Sequence, residues 1–380
     1  MSDILDRAPK VSAPFAEAGP RPKPGILDIA PYVGGKARAN GFAHPLKLSS
    51  NENILGCSPR ARAGYTEAAD GLQLYPDGRS DGLRAAVASH FDLEPERLIF
   101  GCGSDEVFTL LAQVYCEPGD NVVQGQYGFQ AYRIAGRAAQ AEVRFAPEPR
   151  FKLDVDEVLR KVDARTRIVF VANPANPTGT WNTRAEIARL HRSLPSHVVL
   201  CLDGAYAEFV EDPDWCDGLD MARGAQNIIA TRTFSKAYGL AGLRVGWGYA
   251  PVAMIDAMDR IRAPFNVNVP AQAAALAALD DEAFLERSRA LVREERPRLA
   301  SALDVLGLVT EPSQANFVFA RFPSEPGRNA AEAEAALADE GVLVRGLKTY
   351  GIGDGMRITV GLPEHNAQVI DILTAFLASC

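Results

Sequence analysis

A chain of 380 residues, 47% of them hydrophobic, carries apolar material for a sizeable core and, on length, for roughly two to three domains. Forty basic against 48 acidic residues leave a formal charge of −8 and a pI near 5.3, which argues against a nucleic-acid-binding face and leaves only local basic pockets. The six cysteines (57, 102, 116, 201, 216, 380) form no C-x-x-C pair and no Cys/His cluster has ligand spacing, so no metal site is expected and reduced thiols in a cytoplasmic protein fit best.

Met1 to Gly25 has acids early, prolines later and no apolar centre; it reads as a partly mobile arm, neither a secretory signal nor a membrane span. Leu27-Asp-Ile-Ala-Pro-Tyr-Val, with Tyr32, and Leu46-Lys-Leu-Ser-Ser-Asn-Glu-Asn-Ile-Leu-Gly, with Asn51 and Asn53, precede the first long helix and are polar loop stretches on their residues alone. Gln73-Leu-Tyr-Pro-Asp-Gly is a turn by its Pro and Asp-Gly signals, with Tyr75 as its aromatic, and an Ala-rich helix follows from Asp81 to His90. From Arg97, a short buried strand, a glycine turn and a helix are expected, with Ser104 and Asp105 in the helix's first turn. Unpaired N–H groups and a positive dipole end make that turn a phosphate seat; simple capping by Ser104 or Asp105 is the other reading.

Further strands are expected at 121–123, 167–171, 198–202 and 227–231, alternating with helices. This pattern predicts an α/β protein with a mainly parallel sheet covered on both faces. Polar groups cluster just past the strands, on the side where such sheets bind ligands. Tyr127 follows the second strand. The third runs into Asn-Pro-Ala-Asn-Pro-Thr-Gly, whose prolines and glycine fix a turn around Asn176. The fourth ends in Asp203, with Tyr206 three residues on; a carboxylate ending a buried strand needs a cation or strong donors, with N-capping as the alternative.

The fifth strand leads into Thr233-Phe-Ser-Lys-Ala-Tyr-Gly-Leu-Ala-Gly-Leu-Arg-Val-Gly-Trp247, which offers two hydroxyls (Thr233, Ser235), an amine (Lys236) and a guanidinium (Arg244) among close-packing glycines. Hydroxyls and guanidinium suit a phosphate and the amine suits a carbonyl, a pairing that describes pyridoxal 5'-phosphate. From Asp280 the character changes to a long charged helix, short strands and two more helices, which reads as a smaller α+β domain containing Arg345 and Arg357 at the ends of apolar runs.

The lysine segment resembles the Schiff-base motif of fold-type I aminotransferases, in the class II branch that contains histidinol-phosphate aminotransferase. The likeness covers nearly the whole chain after the first 25 residues, with its motifs in family order. It implies an aspartate-aminotransferase-like fold: residues 1–50 as arm and part of the small domain, 51–275 as the large cofactor domain and 276–380 as the small C-terminal domain. It further implies that Lys236 holds the cofactor and moves the proton, that Asp203 keeps the ring nitrogen protonated, and that Asn176 and Tyr206 hold the phenolic oxygen. Ser104, Asp105, Thr233, Ser235, Arg244 and Tyr75 of the partner subunit in a homodimer would anchor the phosphate, and Tyr127 would lie flat on the ring, with core packing as its alternative. Tyr32 and Asn51 would cross the mouth of the site. Arg345 and Arg357 would bind the substrate's anionic end, with structural salt bridges as the alternative. Two departures are Ile54, where the family's N-E-N-P-L-G has proline, and Ala175, where many relatives have asparagine. The implied reaction is transamination between L-histidinol phosphate and 2-oxoglutarate. An aromatic amino-acid aminotransferase would turn Arg357 to an α-carboxylate, and a threonine-phosphate decarboxylase is a third possibility within the branch. A cofactor-sensing regulator would need a basic helix-turn-helix upstream, for which the arm is too short.

Overall fold

The strands, in chain order, are β1 (Leu46–Lys47), β2 (Leu98–Gly101), β3 (Asn121–Gly125), β4 (Glu142–Ala146), β5 (Thr166–Ala172), β6 (Val199–Asp203), β7 (Ile228–Thr233), β8 (Gly246–Tyr249), β9 (Val309–Glu311), β10 (Phe317–Arg321), β11 (Val342–Leu343), β12 (Arg345–Gly346) and β13 (Gly355–Thr359). They come from a computed structural model that describes residues 19–36 and 38–378, so the expectation of a mobile arm lies, for residues 1–18, outside the described residues.

Seven strands form one sheet in the order β2-β8-β7-β6-β5-β3-β4. β4, β3, β5, β6 and β7 run parallel, and the Val/Ile/Leu-rich centres of β3, β5, β6 and β7 are buried on both faces. The period of two divides the core accordingly. Val169, Val171, Leu200 and Leu202 enter the cluster on one face, while Ile168, Phe170, Val199 and Cys201 enter the cluster on the other.

Three strands of this sheet depart from the sequence reading: β2 in its direction, and β4 and β8, which it does not include. β2 is antiparallel to β8, and β8 lies inside the glycine-rich run that follows Lys236. Glycine hides that strand from a propensity reading, but the close packing demands it: a Cβ on Gly246 would run into the backbone amide of Ser104. β4, with its exposed and half-buried pattern, covers the far edge.

A second sheet, β12-β13-β10-β9, is antiparallel and packs against the helices Glu282–Val305, Ala330–Asp339 and Pro363–Ala378. β1 pairs in parallel with β11, and Thr359 N–H donates to Leu48 O at 3.0 Å, so the stretch carrying Asn51 is laced to the C-terminal sheet. Among the described residues no helix is long and apolar enough to cross a membrane.

Candidate active site

The carboxyl ends of β5, β6 and β7 open onto a cavity of about 270 Å3, whose far wall comes from the C-terminal sheet and from residues 32–51. Lys236 stands three residues beyond β7, and its Nζ donates to Ser50 O at 3.1 Å. Burial, aided by the positive charge of Arg357, lowers its pKa to about 8, so the amine sheds its proton far more readily than a solvated lysine.

Asp203, the last residue of β6, accepts from Tyr132 Oη at 2.5 Å, Thr231 Oγ1 at 3.2 Å and the Ala205 N–H at 3.1 Å. All three donors are neutral, and no cation pairs with the carboxylate among the described residues. Burial raises its pKa to about 6 against the pull of Tyr132 and the other donors. A buried carboxylate balanced only by neutral dipoles is suited to a cationic N–H, such as a protonated pyridine.

Asn176 Oδ1 accepts from Arg357 Nη1, which orients the amide so that Nδ2 is left without a hydrogen bond among the described residues. Tyr206 Oη accepts from Asn51 Nδ2 at 2.8 Å and keeps its own proton to donate. Both side chains line the cavity, as a pair of donors for one oxygen.

The phosphate end is built from the helix Ser104–Tyr115, which starts at Gly103 (φ 80°) with no side-chain cap on its first N–H groups. Arg244 reaches Ser235 Oγ at 3.2 Å and Asp105 Oδ2 at 3.3 Å, and Thr233 completes the ring. A Cβ at Gly103 would strike the Arg244 guanidinium, so the helix end and the cation can be this close only with glycine there. A helix N-terminus, hydroxyls and a guanidinium at one end, an amine in the middle and a lone carboxylate at the other fit pyridoxal 5'-phosphate.

Opposite stand Arg345 and Arg357, both buried. Arg345 Nη1 donates to Gly34 O at 2.6 Å and Nη2 to Val33 O at 2.8 Å; Arg357 Nη2 donates to Ser49 O at 2.8 Å, while its Nε has no partner. Neither pairs with a carboxylate among the described residues, so the salt-bridge alternative has no partner here. Both line the cavity with no counter-charge among the described residues. Tyr32 lines the same wall, half exposed, with its ring edge-on to Phe129 at 6.4 Å.

Two expected residues lie outside the cavity wall. Tyr127 turns away, tilted on Phe151 at 5.3 Å, with its N–H on Glu148 Oε2 at 2.6 Å; Phe129 lines the cavity in its stead. The aromatic cluster of Phe319, Tyr350 and Phe151 captures the first ring and leaves the second for the cavity. Tyr75 is 83% exposed and stacks on Phe265 at 4.7 Å. The motifs missed Phe129, Tyr132, Tyr350, Gly34 and Gly35. Of these only the aromatic repeat Tyr-Gly-Phe-Gln-Ala-Tyr132 carried a readable signal.

Residues 43–375 match the family model for class I and II aminotransferases. Histidinol-phosphate aminotransferase 1 of Caulobacter vibrioides is 60% identical over 356 residues, 94% of this chain and 99% of that protein. The histidinol-phosphate aminotransferase of Rhodospirillum centenum is 49% identical over 95% of this chain and 99% of its own length. Among solved structures, histidinol-phosphate aminotransferase from Sinorhizobium meliloti in complex with pyridoxal-5'-phosphate superposes with a TM-score of 0.86 at 26% identity, covering 96% of this chain and 99% of that one.

Proposed function

The chain belongs to the class I and II aminotransferases and works with pyridoxal 5'-phosphate, and from that premise we propose that it moves an amino group between L-histidinol phosphate and 2-oxoglutarate, as a step of histidine biosynthesis. The observation that carries the substrate is the pair of buried guanidiniums, Arg345 and Arg357, with no carboxylate partner among the described residues: a phosphate dianion is the anion that two such groups suit. The names of the relatives at 60% and 49% identity support the same reading.

The cofactor, when bound, supplies the electron sink that makes the proton on the amine-bearing carbon labile. Ser104, Thr233, Ser235 and Arg244 hold its phosphate, with Asp105 keeping Arg244 in place. Asp203 holds the positive charge on its ring nitrogen, and Tyr132 and Thr231 hold Asp203. Asn176 and Tyr206 donate to its phenolic oxygen. Lys236 would be its covalent anchor, and its Nζ, whose pKa burial lowers to about 8, would be the base that takes the proton from the substrate carbon and the acid that returns it. Phe129 would pack on the ring, and residues 32–36 with Arg345 would screen the site from water.

A homodimer accords with the exposed apolar side chains Leu72, Leu74, Tyr75, Ile261 and Phe265, from which Tyr75 of the partner subunit would reach the phosphate. The division at residues 50 and 275 accords with the seven-stranded sheet falling between those positions, while the four-stranded sheet lies after residue 275 and the β1-β11 pair joins residues from before 50 and after 275. A cytoplasmic location accords with the free thiols among the described residues. The deciding experiment compares histidinol phosphate with phenylalanine as donors to 2-oxoglutarate. A higher kcat/KM for phenylalanine would replace this reading with an aromatic aminotransferase.

A further inference from the structure

Tyr350 belongs to none of the sequence motifs, yet it shares the cavity wall with Arg345 and Arg357. Its ring is held by Phe319, Leu347 and Ile352, and its backbone N–H is fixed on Leu347 O at 2.8 Å. The hydroxyl is the one polar atom of that side chain, and it makes no hydrogen bond among the described residues. Burial raises its pKa, while the positive charges of Arg357, Arg345 and Arg133 pull the other way, so the hydroxyl lies within the field of three guanidiniums. It stays a neutral O–H, able to donate.

Each neighbouring guanidinium is fixed by two hydrogen bonds to the protein, which sets where its three remaining N–H groups point. Arg345 spends one N–H of each Nη on the carbonyls of Val33 and Gly34, and Arg357 spends hers on Asn176 and Ser49. A carboxylate offers two oxygens in one plane, which the fork of a guanidinium matches. A phosphate monoester offers three, arranged as a tripod, and a buried oxygen without a donor is costly. We propose that Tyr350 is the third donor to the substrate's phosphate, beside Arg345 and Arg357, and that its hydroxyl makes the site select a phosphate monoester over the same molecule without phosphate. This rests on the phosphate-substrate reading above and adds to it a specificity-determining residue.

Tyr350→Phe keeps the ring and its packing and removes only the hydroxyl. The measurement is kcat/KM of wild type and variant with histidinol phosphate and with histidinol, together with competitive inhibition by inorganic phosphate. The expected result is a loss of about ten- to a hundredfold for histidinol phosphate, mostly through KM, a loss at least tenfold smaller for histidinol, and weaker inhibition by phosphate. An unchanged preference in the variant, or equal losses on both donors, overturns the role of Tyr350 while leaving the phosphate-substrate reading intact. A wild-type protein that does not prefer the phosphorylated donor overturns both.

Discussion

Replacing Arg357 with alanine tests the anion site most directly, because one guanidinium there does three separable things. It faces the cavity with a charge that no carboxylate among the described residues neutralises, so truncation should cost the anionic substrate about 2 to 4 kcal/mol of transition-state binding, or roughly 30- to 900-fold in kcat/KM. It also holds Asn176 Oδ1 and Ser49 O. Removing it leaves two acceptors to find water, at about 1 to 3 kcal/mol each if they stay buried, which should appear as a lower Tm of the cofactor-free protein. Finally, its charge is among the causes that lower the pKa of Lys236 to about 8, after burial, so its loss must move that value upward. Cofactor uptake by the apoprotein needs the neutral amine. Its rate in wild type should therefore climb with pH to a midpoint near 8, and in Arg357→Ala the midpoint should lie higher. Steady-state rates with histidinol phosphate, stopped-flow uptake against pH and a thermal melt read the three effects. Arg357→Lys, which keeps the charge and loses the fork, should restore the pH midpoint but only part of kcat/KM. A folded Arg357→Ala protein with wild-type kcat/KM for histidinol phosphate would refute the reasoning.

Borohydride reduction of the loaded protein followed by peptide mapping should mark Lys236, and Lys236→Ala should lose both the mark and turnover; a different labelled lysine would break the central assignment. Asp203→Asn should cut kcat by about a hundred- to a thousandfold while the cofactor still attaches, and wild-type turnover would return Asp203 to a capping role. The same substitution has an opposite effect on the apoprotein's stability. Asp203 has a folded pKa of about 6 against 3.8 unfolded, so the native state holds the extra proton between those values and loses stability as pH rises through them. At pH 7 the neutral amide should then raise the Tm of the apoprotein, by at most about 3 kcal/mol of stability, and a lower Tm at pH 7 would show that the donors from Tyr132 and Thr231 outweigh burial. Phe129→Ala should weaken cofactor affinity by about two- to tenfold, the scale of a ring contact, whereas Tyr127→Phe should leave it unchanged; the reverse order would restore Tyr127 to the ring.

The sequence by itself determined the residues whose positions follow from where a strand stops. The short apolar runs at 198–202 and 227–231 alternate with helical stretches and read as buried strands, so Asp203 and the polar run from Thr233 to Lys236 fall at their ends, and the Pro/Gly turn around Asn176 follows the strand before them. Local chemistry suffices there, because a strand buried on both faces leaves its exit as the first place where polar groups can meet a ligand. Tertiary structure alone decided the rest. Whether Tyr127 or Phe129 faces the cavity depends on Phe151 and Phe319, which come from distant segments and compete for one ring. Arg345 reads as an end-of-strand cation, but its hydrogen bonds go to Val33 and Gly34, over 300 residues away in the chain, and nothing near it in sequence records that. β8 hides among glycines because its backbone, not its side chains, packs against the helix that begins at Ser104. In each of these cases the outcome depends on which remote surface packs against a given side chain or backbone, and that is a property of the packed chain rather than of any stretch of it.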